Sequence, residues 1–90
     1  MRVFLVGGKL CRVDDEYAHY VDDYSWCLNK GKYNYSWYAI CGVRVGKKVK
    51  KIYLHRLVSG AKPGDRVEFV GSDTLDCRRS NLRLNGKRLS

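Results

Sequence analysis

Arg66–Leu84 reads RVEFVGSDTLDCRRSNLRL. Val67 to Val70 is a β-type run. Gly71 to Asp76 is a polar loop that carries two acids, two arginines follow it, and Asn81 to Leu84 is a second short strand ending at the turn pair Asn85-Gly86. The rest of the chain reads as scaffold leading into this unit.

Upstream, Lys62-Pro63-Gly64-Asp65 is a turn, and His55 to Ser59 starts a short helix that Gly60 and Pro63 end. Before it lies the longest β-type stretch, Tyr33 to Val45, with Tyr33, Tyr35 and Trp37 on one face and Asn34, Ser36, Tyr38 and Ile40 on the other. A turn at Gly46-Lys47-Lys48 sends the chain back along Val49 to Leu54. In that return strand Ile52 and Leu54 share one face, and Lys51 and Tyr53 the other. Trp26 to Leu28 starts the sheet and is broken at Asn29-Lys30-Gly31-Lys32, where Asn and Gly suit positive φ.

At the N-terminus, Arg2 to Val6 and Leu10 to Val13 form a hairpin around Gly7-Gly8. Asp14-Asp15-Glu16 then suits a helix start, and Tyr17 to Tyr24 allows about two helical turns. These acids read as capping and solvation rather than as a metal site, and His19 as a surface or packing residue. The expected fold is α+β: small antiparallel hairpins and one short helix, in a single domain over residues 1–90. Residues 1–53 are its β-rich part and 54–90 its second unit.

A chain of 90 residues buries only about 60% of its unfolded surface, so the core is thin. Eighteen Lys and Arg against nine Asp and Glu give a formal net charge of +9. Residues 1–26 hold three basic and five acidic side chains, 27–66 hold ten and one, and 67–90 hold five and three. Positive charge therefore concentrates mid-chain, as a phosphate-binding footprint would. Arg44, Lys47, Lys48, Lys50 and Lys51 fall within eight residues on the Tyr33–Leu54 hairpin. A ribbon with a basic tip and aromatic base fits a phosphate backbone or a major groove. Lysines on an edge strand also serve to block edge-to-edge pairing.

Cys11, Cys27, Cys41 and Cys77 form no CxxC pair and have no nearby His to complete a zinc pattern. They read as reduced, mostly buried thiols of a cytoplasmic protein. MRVFLVGGKL is too short for a secretory signal, and no apolar run approaches the length of a membrane span.

The run LHRLVSGAKPGDRVEFVGSDTLDCRRSNLRL, from Leu54 to Leu84, resembles HNH endonucleases of the phage and intron-homing type. The LHRL segment, the Lys-Pro-Gly turn and the ending L-D-x-R-R-x-N-L-R carry the likeness over about thirty residues. Val13 to Glu16 and the Trp- and Tyr-rich middle are similar to the N-terminal region of such proteins. The resemblance implies a ββα-metal unit. In it a His activates water, an adjacent Asp binds a divalent metal, and an Asn twelve residues on orients the base and the loop. A final helix closes the unit and supplies one more ligand.

Laid on this chain, the Asp position is Glu68, the His position Phe69, the orienting Asn is Asn81, a common loop Asn is Cys77, and the last ligand falls at Ser90. Phenylalanine has no nitrogen to accept a proton. Glu68 keeps a carboxylate but displaces it by about 1 Å in a site that needs tight geometry. The residues after Arg83 leave room for only a truncated final helix. Asp73, Leu75, Asp76, Arg78, Arg79, Asn81, Leu82 and Arg83 keep the pattern.

The expectation is a degenerate, catalytically inactive HNH-like protein of phage or mobile-element origin. It binds duplex DNA through Arg44, Lys47, Lys48, Lys50, Lys51, Arg78, Arg79 and Arg83, and it needs no cofactor. One alternative is an inhibitor that binds a host or defence protein, favoured by the acidic first quarter. A second is a divergent nickase that uses Mg²⁺ or Mn²⁺ at Glu68, Asp73 or Asp76.

Overall fold

The computed structural model describes residues 1–30 and 36–89. Tyr33, Asn34 and Tyr35, Gly31 and Lys32 of the expected turn, and Ser90 lie outside the described residues. The fold is α+β, with three small antiparallel sheets and two short α-helices among the described residues.

The first sheet pairs β1 (Arg2–Val6) with β2 (Lys9–Val13). Alternation places Phe4, Val6, Cys11 and Val13 inward and leaves Val3, Leu5 and Leu10 exposed. A 3₁₀ turn, Asp15–Tyr17, leads into α1 (Ala18–Asp23). Tyr17, Tyr20 and Val21, three and four residues apart, lie on one side and pack on the core. Trp26 follows and donates its indole N–H to the Tyr20 carbonyl at 2.8 Å.

The second sheet has the order β3 (Cys27–Lys30), β4 (Trp37–Val45), β5 (Lys48–Tyr53). Val45 pairs with Lys48, so the turn is the two residues Gly46-Lys47, one shorter than expected. Gly46 sits at φ 62° in the first turn position, which a two-residue type II′ turn reserves for glycine. Leu54 does not extend β5. It opens α2 (Leu54–Ser59), because Leu54 and Val58, four residues apart, are both fully buried when the chain turns helical there. The Gly60 N–H closes this helix onto the Arg56 and Leu57 carbonyls.

The third sheet has the order β6 (Val67–Phe69), β7 (Leu82–Leu84), β8 (Lys87–Arg88). A third strand thus stands where a truncated helix was expected. Asn85 and Gly86, at φ 52° and 85°, reverse the chain in two residues, and Leu84 then pairs with Lys87. Asn85 ties this turn to the preceding loop: its Oδ1 accepts from the Arg66 N–H at 2.9 Å, and its Nδ2 donates to Asp65 at 3.1 Å.

One core unites the chain. Val6, Cys11, Val13 and Ala39 of the β-rich part meet Leu54, Val58, Leu75, Cys77 and Leu82 of residues 54–90. Each fully buried leucine there contributes about 1.5–3 kcal/mol by leaving water. The outer edge of β2 is covered by the loop that precedes β7. The Arg12 N–H donates to the Leu75 carbonyl at 3.0 Å, and the Cys77 N–H to the Arg12 carbonyl at 2.8 Å. No described helix is long and apolar enough to cross a membrane.

Candidate nucleic-acid interface

The loop between β6 and β7 is ordered by Asn81. Its Oδ1 accepts from the Gly71 N–H at 2.9 Å, and its Nδ2 donates to the Asp76 carbonyl at 2.8 Å. The Asn81 carbonyl also accepts from the Val70 N–H at 2.8 Å. One amide thus bridges both ends of the loop. Asn81→Ala removes these side-chain bonds, together with a longer one from Nδ2 to the Asp73 carbonyl at 3.4 Å, and leaves the Asp76 carbonyl unpaired. The expected cost is about 2 kcal/mol, measured by urea unfolding, with faster exchange of the Gly71 amide.

The acids of the loop are held by arginines. Arg78 grips Asp76 with two parallel bonds, Nε to Oδ1 at 2.8 Å and Nη2 to Oδ2 at 2.6 Å. Burial pushes the Asp76 carboxyl up, but the hydrogen bonds from Arg78 outweigh it and hold the group below the usual range. Those bonds raise Arg78 in turn. Asp73 accepts from Arg12 at 3.3 Å and turns its other oxygen to the Leu75 N–H at 3.0 Å. Glu68 meets Arg66 at 3.3 Å.

Arg79 points inward and donates to the Val58 carbonyl at 2.9 Å and to the Tyr17 hydroxyl at 3.3 Å. Its own N–H is capped by the Asp14 carboxylate at 2.9 Å, so Asp14 serves the far loop rather than its own helix. Arg78 and Arg79 therefore build the loop. Arg83 is exposed on β7, directly across from Glu68.

Phe69 lies at the centre of an aromatic cluster. Its ring centroid is 5.0 Å from His55 and 6.1 Å from Tyr38, and Tyr53 stands 5.6 Å from His55. Burial, with a smaller contribution from Arg56, pushes His55 down to about 4. It is neutral at pH 7 and too weak a base to take a proton from water there. These rings and Glu68 line a groove of about 670 Å³, which Ser72 and Thr74 border. The Thr74 hydroxyl donates to the Trp37 carbonyl and fixes the loop against β4.

Among the described residues, no three His, Cys, Asp or Glu side chains gather as a metal-binding group. Glu68, Asp73 and Asp76 each face an arginine instead. The three carboxylates named for the nickase alternative are thus not gathered as one group. Cys11, Cys41 and Cys77 are buried and Cys27 is exposed, all as free thiols. Burial, then the charge of Asp73, pushes Cys11 up to about 12, and burial carries Cys77 well above its ordinary value, so neither is a nucleophile.

Arg44, Lys47, Lys48, Lys50 and Lys51 are all exposed. The register puts Arg44 and Lys51 on the face of the ribbon that carries Tyr38 and Tyr53, and Lys48 and Lys50 on the other, with Lys47 at the tip. The cations surround the ribbon rather than line one face. The aromatic cluster of Tyr38, Tyr53 and His55 around Phe69 was not foreseen. Its signal was strand parity, which a two-residue turn at Gly46-Lys47 sets and a three-residue turn inverts. Arg56 was also missed: it clamps the loop after α2, donating to the Lys62 and Asp65 carbonyls at 2.8 Å each.

No family model, curated protein or solved structure matches this chain.

Proposed function

We infer that this protein is a catalytically inactive, HNH-like DNA-binding domain of phage or mobile-element type. It contacts duplex phosphates through Arg44, Lys47, Lys48, Lys50, Lys51 and Arg83. The observation that carries the reading is the contrast between its cations: those of the β4–β5 ribbon stand in solvent, whereas Arg78 and Arg79 are engaged within the protein. Phe69, packed on His55 in the position of the general base, supports the loss of hydrolysis. Arg78, Arg79 and Asn81 then shape the loop rather than touch DNA.

The test is a titration against a supercoiled plasmid and a short duplex, with Mg²⁺, Mn²⁺ or EDTA, at low and moderate salt. Salt-sensitive binding without nicking is the expected result. Metal-dependent nicking that Glu68→Ala abolishes would replace this reading with the nickase.

A second reading, an inhibitor of a host or defence protein, is favoured by one surface. Val3, Leu5 and Leu10 stand exposed on one face of the β1–β2 hairpin, with Leu5 directly opposite Leu10, in the acidic first quarter of the chain. Absence of DNA binding at low salt, together with a protein partner retained at high salt, would establish it.

A further inference from the structure

We propose that the aromatic groove beside β6 receives an unpaired nucleobase, while the adjoining lysine groove holds the phosphate of the same strand. This rests on the DNA-binding reading and names the form of DNA that fits best: a duplex with an extrahelical base.

Two grooves share a wall. The first, of about 670 Å³, is lined by Tyr38, Tyr53, His55 and Phe69, with Glu68 among its polar groups. The second, of about 490 Å³, is lined by Lys50 and Lys51 together with the apolar Ile52, Leu57, Ala61 and Pro63. Tyr53 and Arg56 belong to both. A strand that crosses Tyr53 passes from the aromatic slot towards Lys51, which shares the Tyr53 face of the ribbon, a division that matches base and phosphate.

The chemistry of each side is selective. The aromatic slot has the volume of small-ligand sites, about 300–1,000 Å³, and combines ring surfaces with the polar groups of Ser36, Glu68, Ser72 and Thr74. Arg56 directs its guanidinium to the Lys62 and Asp65 carbonyls. Glu68 adds a negative charge, which repels phosphate but accepts from the exocyclic amino group of a base. On the other side, Lys51 and Arg44 continue the face of the ribbon that Tyr53 and Tyr38 begin. Aromatic surface beside a basic track is the arrangement that binds unstacked bases.

The experiment compares the wild-type protein on three duplexes at one salt concentration: fully paired, with a one-base adenine bulge, and with the same bulge carrying an abasic sugar. The abasic bulge bends as the adenine bulge does but offers no base. We expect the adenine bulge to bind about tenfold tighter than the abasic one, the size of one stacking contact. Tyr53→Leu should bring the ratio near one, and Tyr53→Trp should restore it. Equal affinity for the two bulges, with salt-sensitive binding of the paired duplex intact, overturns the base site and leaves the phosphate reading standing. No binding to any of the three overturns both.

Discussion

Lys50→Glu combined with Lys51→Glu lowers affinity for a paired duplex at 50 mM salt by about 200-fold. The size follows from counterion release. Each neutralised phosphate contributes a factor that falls with salt to the power of about 0.9, roughly 15-fold between 1 M and 50 mM, so two contacts multiply to about 200. The slope of log K against log salt should become shallower by about two. Lys50→Gln with Lys51→Gln should show the same change in slope without the added repulsion of glutamate. Both lysines are exposed and border the groove beside Tyr53, and they project from opposite faces of the ribbon. The competing account is that lysines on β5, an edge of its sheet, only block pairing with another chain. Glutamate also places a charge on the edge, so that account predicts unchanged affinity for DNA. Anisotropy titrations at three salt concentrations separate the two, and an unchanged slope removes the ribbon from the interface.

The elements were legible in the sequence where local chemistry set them. The β1–β2 hairpin followed from the β-branched run closed by Gly7-Gly8, and α2, but for its first residue Leu54, from the His55–Ser59 run closed by Gly60. Three features were not. The bridging of the loop by the Asn81 amide, to the Gly71 N–H and the Asp76 carbonyl, joins residues that the sequence pattern did not pair. The turn at Gly46-Lys47 is one residue shorter than the expected Gly46-Lys47-Lys48, and in an antiparallel pair one residue exchanges the two faces. Tyr53 therefore shares its face with Tyr38, and the aromatic groove exists where the longer turn would have put Tyr38 beside Lys50 and Ile52. The inward course of Arg79 was equally hidden. Its partners Tyr17, Val58 and Asp14 are distant in sequence and meet only when α1 and α2 pack on the loop. Among the basic residues, type and spacing did not distinguish the exposed ones from those held within the protein.

Acidification from pH 7 to pH 4 removes about 3 kcal/mol of stability through His55 alone. The group titrates near 6.5 when unfolded and is pushed down to about 4 in the fold, by burial first and by the Arg56 charge second. Its surroundings from each packed element are the rings of Tyr38, Tyr53 and Phe69, with Arg56 beside it on α2. Because the folded value lies below the unfolded one, the unfolded chain takes the proton first. The contribution is therefore complete above pH 6.5 and is lost as pH falls from 6.5 towards 4. At about 1.4 kcal/mol per unit, a gap of this size gives the stated loss. Asp76 acts in a separate window: held below its ordinary 3.8, it adds stability that disappears only as pH falls below that value. Urea unfolding at pH 7, 5.5 and 4.5 reads the His55 window without it. His55→Phe keeps a ring against Phe69 and removes the titration, so its midpoint should hold steady over the range in which the wild-type midpoint drops. Parallel losses in the two proteins would assign the effect to other groups. A flat wild-type profile would place His55 in contact with water, where an imidazole in the same groove as Glu68 becomes a proton acceptor at neutral pH and the nickase reading regains its missing base.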